Sequence, residues 1–379
     1  MIYMDNAATS WPKPPGVIRA VTNCMEKYGA NPGRSGHKMA IEAGQILLYT
    51  REMLCELFHL KDPFQIVFTS NATDSLNLAI QGSVSPGDHV IFTSMEHNAV
   101  VRPLKEMEKQ GLKLTVTACA PDGTIDPDDI SKAIQPDTRL IVTTHASNVT
   151  GTILPIDSIG KIARSHGIPY LVDAAQTAGV LPIDLSKLPV DMMAFPGHKG
   201  LLGPQGTGGL YIHPDIQLRS IRQGGTGSQS ESLYQPEMLP DKFESGTLNT
   251  PGIAGLGAGI KKILGEGQLR ILSHERRLGK LFLEALSHIK GIEVYGPRDI
   301  FRQTGIVSVN LGKKDSSEIA NLLDERYDIA VRGGLHCAPL AHKTIGSFHQ
   351  GAVRFSYGAF NQLDEVKSCI KALEELKRL

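Results

Sequence analysis

A lysine that could serve as a nucleophile stands at position 199, in Phe195-Pro-Gly197-His198-Lys199-Gly200, directly behind the short apolar run Met192 to Phe195. Gly197, Gly200 and Gly203 let the backbone turn sharply there and come close to a ligand. An amine held in such a turn and partly desolvated would lose proton affinity and could attack a carbonyl. A solvated loop lysine is the plain alternative. A second reactive type is Cys337, in Arg332-Gly-Gly-Leu-His336-Cys337-Ala-Pro339, where glycines, an arginine and a histidine favour an accessible thiolate. By residue type alone, a cysteine is more often buried filler.

The elements that must position these groups follow a regular pattern. Ile66–Thr69, His89–Thr93, Leu114–Thr117, Leu140–Thr143, Tyr170–Asp173 and Met192–Phe195 are short β-rich runs, most of them separated by helix-length segments. Strands alternating with helices predict a mostly parallel sheet covered on both faces. In such sheets ligands sit beyond the carboxyl ends of the strands, so the polar residues just after each run matter most. After the first run come Ser70-Asn-Ala72-Thr73, whose hydroxyls and free amides at a helix start suit a phosphate, or simply cap the helix. His97, in Ser94-Met-Glu-His97-Asn, could stack on a flat ring or move a proton, or be a satisfied loop histidine. Asn148 brings an amide to the same edge, and Asp173 ends a buried run with a carboxylate that is costly unless it meets a cation or donor, although capping the next helix is a competing role.

Together one strand edge offers phosphate donors (Thr73, His198), a ring partner (His97), amides (Asn148, Gln176), a carboxylate (Asp173) and an amine (Lys199). Pyridoxal 5'-phosphate needs that set, with the lysine for its aldehyde and the carboxylate for its ring nitrogen.

These residues also carry a resemblance. Phe68-Thr-Ser-Asn-Ala-Thr-Asp74, Glu96-His97-Asn, Ser147-Asn148-Val-Thr-Gly, Val172-Asp173-Ala-Ala-Gln176 and Gly197-His198-Lys199 resemble the cysteine desulfurases and selenocysteine lyases of the class V aminotransferase group. The likeness runs from Tyr3-Met-Asp-Asn-Ala-Ala to Arg354-Phe-Ser. It implies a PLP-dependent transferase of fold type I (aspartate aminotransferase-like): an α/β protein with a large, mostly parallel seven-stranded sheet domain, residues 15–255, and a smaller α/β domain, residues 1–14 plus 256–379. It further implies that Lys199 binds the cofactor aldehyde, Asp173 faces the ring nitrogen, and His97 stacks on the ring and moves protons. Gln176 and Asn148 would lie near the ring hydroxyl, and Ala72, Thr73 and His198 at the phosphate. Thr247, in Phe243-Glu-Ser-Gly-Thr247, would reach the phosphate of a partner subunit, which implies a homodimer. Cys337 would take sulfur from L-cysteine, giving L-alanine and a persulfide. Arg354 would grip the substrate carboxylate, a contact for which lysine is a poor substitute, with Arg332 and Asn148 as further substrate contacts.

Several alternatives stay open within that resemblance. Selenocysteine lyase activity would not need Cys337, and neither would transamination. Cys337 and Arg354 lie close in sequence, which resembles the branch with a short, rigid cysteine loop and implies a sulfur-acceptor protein or small thiol docking at the site mouth. Iron–sulfur cluster assembly, thiolated RNA and selenium metabolism are all possible destinations for the sulfur. One departure from the pattern is Pro196, where serine is usual, so a hydroxyl contact must be absent or replaced. Gln223–Ser232 could pass for a flexible linker by composition, but the resemblance makes it an ordered loop beside the site.

Length and composition fit this picture. A chain of 379 residues exceeds the usual size of one core, so two domains are expected. Lys+Arg and Asp+Glu balance at 39 each, which gives no reason to expect nucleic acid or an anionic membrane as partner. No apolar run nears the roughly 18 residues that span a bilayer, and no basic-then-apolar leader opens the chain, so a soluble cytoplasmic protein is expected. The five cysteines are scattered without Cys-x-x-Cys spacing, which argues against both disulfides and a zinc site. Beyond the first sheet, Thr250-Pro-Gly should open a helix, Arg270–Ile289 should form another, and Glu293–Tyr295, Ile306–Asn310 and Ile329–Arg332 should form a smaller sheet. Val366, Ile370, Leu373 and Leu376 make the last helix amphipathic.

Overall fold

The computed structural model describes residues 1–33 and 36–378; Arg34, in the glycine-bearing loop 29–37, lies outside the described residues. A short strand β1 (Ile2–Tyr3) leads to helices α1 (Pro15–Lys27) and α2 (Lys38–Phe58). The alternation then begins with β2 (Ile66–Thr69), α3 (Ala72–Ser83), β3 (His89–Thr93), α4 (Asn98–Glu108), β4 (Lys113–Thr117) and α5 (Pro127–Ala133). It continues through β5 (Thr138–Thr144), α6 (Ile156–Ser165), β6 (Tyr170–Asp173), β7 (Met192–Pro196) and β8 (Gly208–Ile212). These strands form one seven-stranded sheet in the order β2-β8-β7-β6-β5-β3-β4, parallel except for β8.

Side-chain alternation explains why this sheet must be covered twice. Ile91, Ile141, Val172 and Met193 join one buried cluster with α2, α6 and α7 (Thr250–Glu266), while their neighbours Val90, Leu140, Leu171 and Met192 join another with α3 and α4. Successive residues of a strand point to opposite faces, so runs apolar at every position need helices on both.

Strand β8 was not visible in the sequence. Its opening pair Gly208-Gly209 has low strand propensity, yet the site needs it: an added Cβ would lie 2.8 Å from the Asn71 backbone at the first and 2.5 Å from the Phe195 ring at the second. Close backbone approach replaced the usual pattern.

After α7, the chain forms α8 (Gln268–His288), β9 (Ile292–Tyr295), β10 (Ile306–Leu311), α9 (Ser316–Tyr327), β11 (Ile329–Ala330), α10 (Pro339–Thr344), β12 (Val353–Ser356) and α11 (Leu363–Leu376). The smaller sheet is β12-β10-β9, antiparallel throughout. The expectation that Ile329–Arg332 joins it is corrected: Ile329 and Ala330 pair in parallel with Ile2 and Tyr3 of β1, and only Arg332 makes a single bridge to Arg354. The apolar type of those residues called for a strand, but no local signal could name a partner at the far end of the chain. Leu278, Phe282, Val307, Phe355, Val366 and Leu373 fill the core beneath the smaller sheet. No helix of the described residues is long and apolar enough to cross a membrane.

Candidate active site

The parallel strands β3, β5, β6 and β7 end on one edge, and the residues that follow them meet there. Ala72, Thr73, His97, Asn148, Asp173, Gln176, His198 and Lys199 line one hollow, as expected from their positions after successive strands. The hollow shares Thr73, His97 and Ala99 with a cavity of about 810 Å³, on which Cys337 also opens.

Lys199 follows β7 in a turn closed by Leu202 N–H on the Lys199 carbonyl (2.9 Å) and Gly203 N–H on that of Gly197 (2.8 Å). Burial first, and the Arg354 charge second, lower its ammonium to about 8, against the opposing pull of Asp173. Behind it, the carbonyl of His198 collects donors from the N-terminal arm: Ser10 N (3.0 Å), Thr9 Oγ1 (3.1 Å), Ser10 Oγ (3.3 Å) and Lys13 Nζ (2.8 Å). The peptide unit entering Lys199 is thereby fixed from outside the sheet.

Asp173, the last residue of β6, is buried and accepts from Ala175 N–H at 2.9 Å. Burial raises its carboxyl, the Ala175 N–H and Lys199 lower it, and no ion pair reaches it among the described residues. His97 caps α4 by accepting Ala99 N–H on Nδ1 (3.0 Å), so a neutral ring carries its proton on Nε2. Burial, then Lys199, Arg332 and Arg354, lower it to about 4, which keeps the ring neutral near pH 7. At α3, Asn71 caps by accepting Asp74 N–H (2.9 Å), leaving the amides of Ala72 and Thr73 in the first turn without intrahelical partners.

The second sheet delivers the remaining groups. Arg354 on β12 is only 1% exposed, and donates from Nη1 to the Asn148 carbonyl (3.0 Å) and from Nη2 to Asp5 Oδ1 (2.8 Å), while its Nε has no partner. Arg332 Nη2 lies 3.5 Å from Cys337 Sγ. Cys337 is exposed, whereas Cys24, Cys55 and Cys369 are buried.

These residues fit pyridoxal phosphate on the structure's own evidence. Asn148 Oδ1 and His198 Nδ1 are buried beside the hollow with no hydrogen-bond partner, and Asp173 lacks a cation. A ring nitrogen, a ring hydroxyl and a phosphate would satisfy what the protein leaves unpaired. Pro196 lines the same hollow and pairs with Gly208 at the end of β7, so a proline ring stands where a hydroxyl was expected.

Thr247 is not brought to the hollow of its own chain: it is exposed and accepts from Asn31 Nδ2 at 3.1 Å. The sequence reading missed the N-terminal arm, Asp5, Thr9, Ser10 and Lys13, because its contacts lie across the whole chain. It also missed Glu96, a buried carboxyl that burial raises to about 8 while its Oε1 accepts from Thr93 Oγ1 and Thr144 N–H. An acidic residue just beyond the buried run His89–Thr93, next to His97, was the available signal.

The Aminotransferase class-V profile matches residues 2–369, so the chain belongs to the class V aminotransferase family. Within it, the chain is 37% identical to the probable cysteine desulfurase of Methanothermobacter thermautotrophicus, covering 99% of this chain and 94% of the relative. Its fold superposes on the apo cysteine desulfurase of Thermococcus onnurineus NA1 with a TM-score of 0.94 at 35% identity, over 100% of this chain and 94% of that one. The cysteine desulfurase CsdA of Escherichia coli matches with a TM-score of 0.89 at 28% identity, over 100% and 95% of the two chains.

Proposed function

We propose that this protein is a pyridoxal 5'-phosphate-dependent cysteine desulfurase that converts L-cysteine to L-alanine and leaves a persulfide on Cys337. One observation carries the reading: Lys199 and Asp173 face a single hollow, and the exposed Cys337 opens on the cavity that continues from it. Relatives named as cysteine desulfurases along almost the full length support it.

Bound in the hollow, pyridoxal phosphate would supply an electron sink for the carbon that loses a proton. Lys199 would hold the aldehyde, Asp173 the ring nitrogen, and His97 one ring face. Gln176 and Asn148 would serve the ring hydroxyl, and Ala72, Thr73 and His198 the phosphate. Arg354, its Nε still free, would bind the substrate carboxylate with help from Arg332 and Asn148. Lys199, whose ammonium is lowered to about 8, exchanges protons readily near neutral pH, and His97 offers Nε2–H nearby. Cys337 Sγ then attacks the substrate sulfur. A bond forms between the two sulfurs, the carbon–sulfur bond of the substrate breaks, and its electron pair stays on the carbon that takes a proton to become the methyl of alanine.

A homodimer belongs to the same reading, with Thr247 reaching the partner's phosphate. The exposed apolar residues Ile18, Met25, Ile41 and Tyr49 on α1 and α2, and Leu233 and Tyr234 in the loop before Thr247, support such an association. The same reading divides the chain into two units, residues 15–255 and residues 1–14 with 256–379; two largely separate cores support it, although Leu256, Ile260, Ile263 and Ile271 pack into the larger sheet's core, which favours a boundary further along, within α8. Sulfur would leave Cys337 to an acceptor protein or small thiol in the cytoplasm.

Alanine release from L-cysteine by the purified holoenzyme tests the proposal, with Cys337→Ala as comparison. Wild type should release alanine and carry a persulfide on Cys337. Equal desulfuration by the variant would remove the covalent step, and no alanine from wild type would sink the reading.

A further inference from the structure

The turn that carries Cys337 is strained, and a pair of buried histidines holds it. His336 and Cys337 both take left-handed backbone conformations, with φ of 49° and 57°. Non-glycine residues avoid that region, and two in succession persist only when the surroundings over-determine them. Two of the ties hold the turn's own carbonyls: Asn148 Nδ2 donates to the His336 carbonyl (2.7 Å) and Asn98 N–H to the Cys337 carbonyl (2.7 Å). The third runs through side chains. His336 Nε2 lies 3.0 Å from the Arg332 carbonyl, His336 Nδ1 3.1 Å from His342 Nε2, and His342 Nδ1 2.7 Å from Ser347 Oγ. The two rings stack with centroids 5.3 Å apart.

Chemistry gives this chain one direction. A carbonyl only accepts, so His336 carries its proton on Nε2 and accepts on Nδ1; His342 must then donate from Nε2 and accept the Ser347 hydroxyl on Nδ1. All three side chains are buried, His342 completely. Burial above all, and then the Arg354 charge, push both imidazoles below their usual range, so both rings stay neutral. Arg332 and Arg354 are the charged groups facing them, and both disfavour a second proton on His336.

We infer that His342 is the positioning residue of the cysteine loop: its Nε2–H, acting through His336, sets the left-handed turn that holds Cys337 Sγ beside Arg332 and open to the cavity. His342 touches none of the reacting atoms and works through its neighbour. The inference rests on Cys337 being the sulfur-accepting thiol.

The test compares wild type, His342→Phe and His342→Gln as holoenzymes, with two readouts. The first is kcat and KM for alanine release; the second is the rate of Cys337 alkylation by iodoacetamide at fixed pH, followed on the Cys337 peptide. Phenylalanine keeps the stack and removes the donor, so kcat should fall about tenfold with KM unchanged, the worth of one buried hydrogen bond. The alkylation rate should fall as Sγ is no longer held beside Arg332 and open to the cavity. Glutamine places an amide N–H near the lost Nε2–H and should recover most of both. Equal behaviour of the two variants, or a Phe variant with the wild-type alkylation rate, overturns the inference. Should His342→Phe fail to fold, Ser347→Ala decides: it removes the far donor and should lower the alkylation rate in the same way, and an unchanged rate overturns the claim. A wild type that alkylates normally yet makes no alanine would refute the functional reading alone, because the alkylation comparison stands without turnover.

Discussion

Lys199 and Cys337 are presented to adjoining parts of one site, the hollow and the cavity that continues from it, by opposite means. Lys199 leaves the end of a fully buried strand, and the N-terminal arm grips the peptide behind it through four donors on one carbonyl. Cys337 stands exposed on a left-handed turn, fixed through the carbonyls and the imidazole of its neighbours. A nucleophile that stays put can be made reactive by burial, as the lowered ammonium of Lys199 shows. A thiol that must meet substrate and then give up sulfur needs access, so its control is displaced onto the residues around it.

The contrast can be broken most severely at the buried end. Lys199→Ala should cut alanine release by about a thousandfold or more and leave cofactor that dialyses away, which absorption spectra before and after dialysis would check. Cys337→Ala should lower alanine release by about a hundredfold while the bound cofactor keeps its spectrum, separating the thiol's work from the lysine's. A pH series sharpens the comparison next. Only the neutral amine attacks an aldehyde, and the ammonium of Lys199 is lowered to about 8. Cofactor uptake by the cofactor-free protein should therefore level off above that pH and fall about tenfold for each unit below it. A midpoint near that of an ordinary surface lysine would contradict the burial argument. The smallest effect is expected at Lys13, whose ammonium burial lowers to about 8 while it donates to the His198 carbonyl and Ser10 Oγ. Lys13→Met should slow cofactor uptake by about tenfold, the worth of one charged hydrogen bond, with Cys337 alkylation unaltered.

What the sequence makes legible follows the range of the forces involved. Strands β2 to β7 announce themselves because each is a local run of β-branched and apolar residues, and the polar residues just beyond them fall at the strand ends by topology alone. Gly208–Ile212 stays hidden because its glycines answer a steric demand from Asn71 and Phe195, which no local pattern encodes. Ile329 and Ala330 read as a strand, but their partner lies at Ile2 and Tyr3. Arg354 stood out by motif, whereas its pairing with Asp5 and its hold on the Asn148 carbonyl join residues 349 and 206 positions apart, which no local pattern encodes. His342 gave only a six-residue spacing from His336, and nothing in the sequence says that the two rings stack.

The N-terminal arm has a consequence for biosynthesis. Asp5 finds Arg354 only 349 positions later, and Ile2 and Tyr3 wait for Ile329 and Ala330. During translation the large sheet can close while residues 2–5 still lack their partners, and they dock only when residues 329–354 have left the ribosome. A product terminated before residue 329 would therefore keep Lys199 and the large sheet yet lack the clamp that Asp5 makes with Arg354, so the reactive centre is completed well after the sheet that carries its lysine.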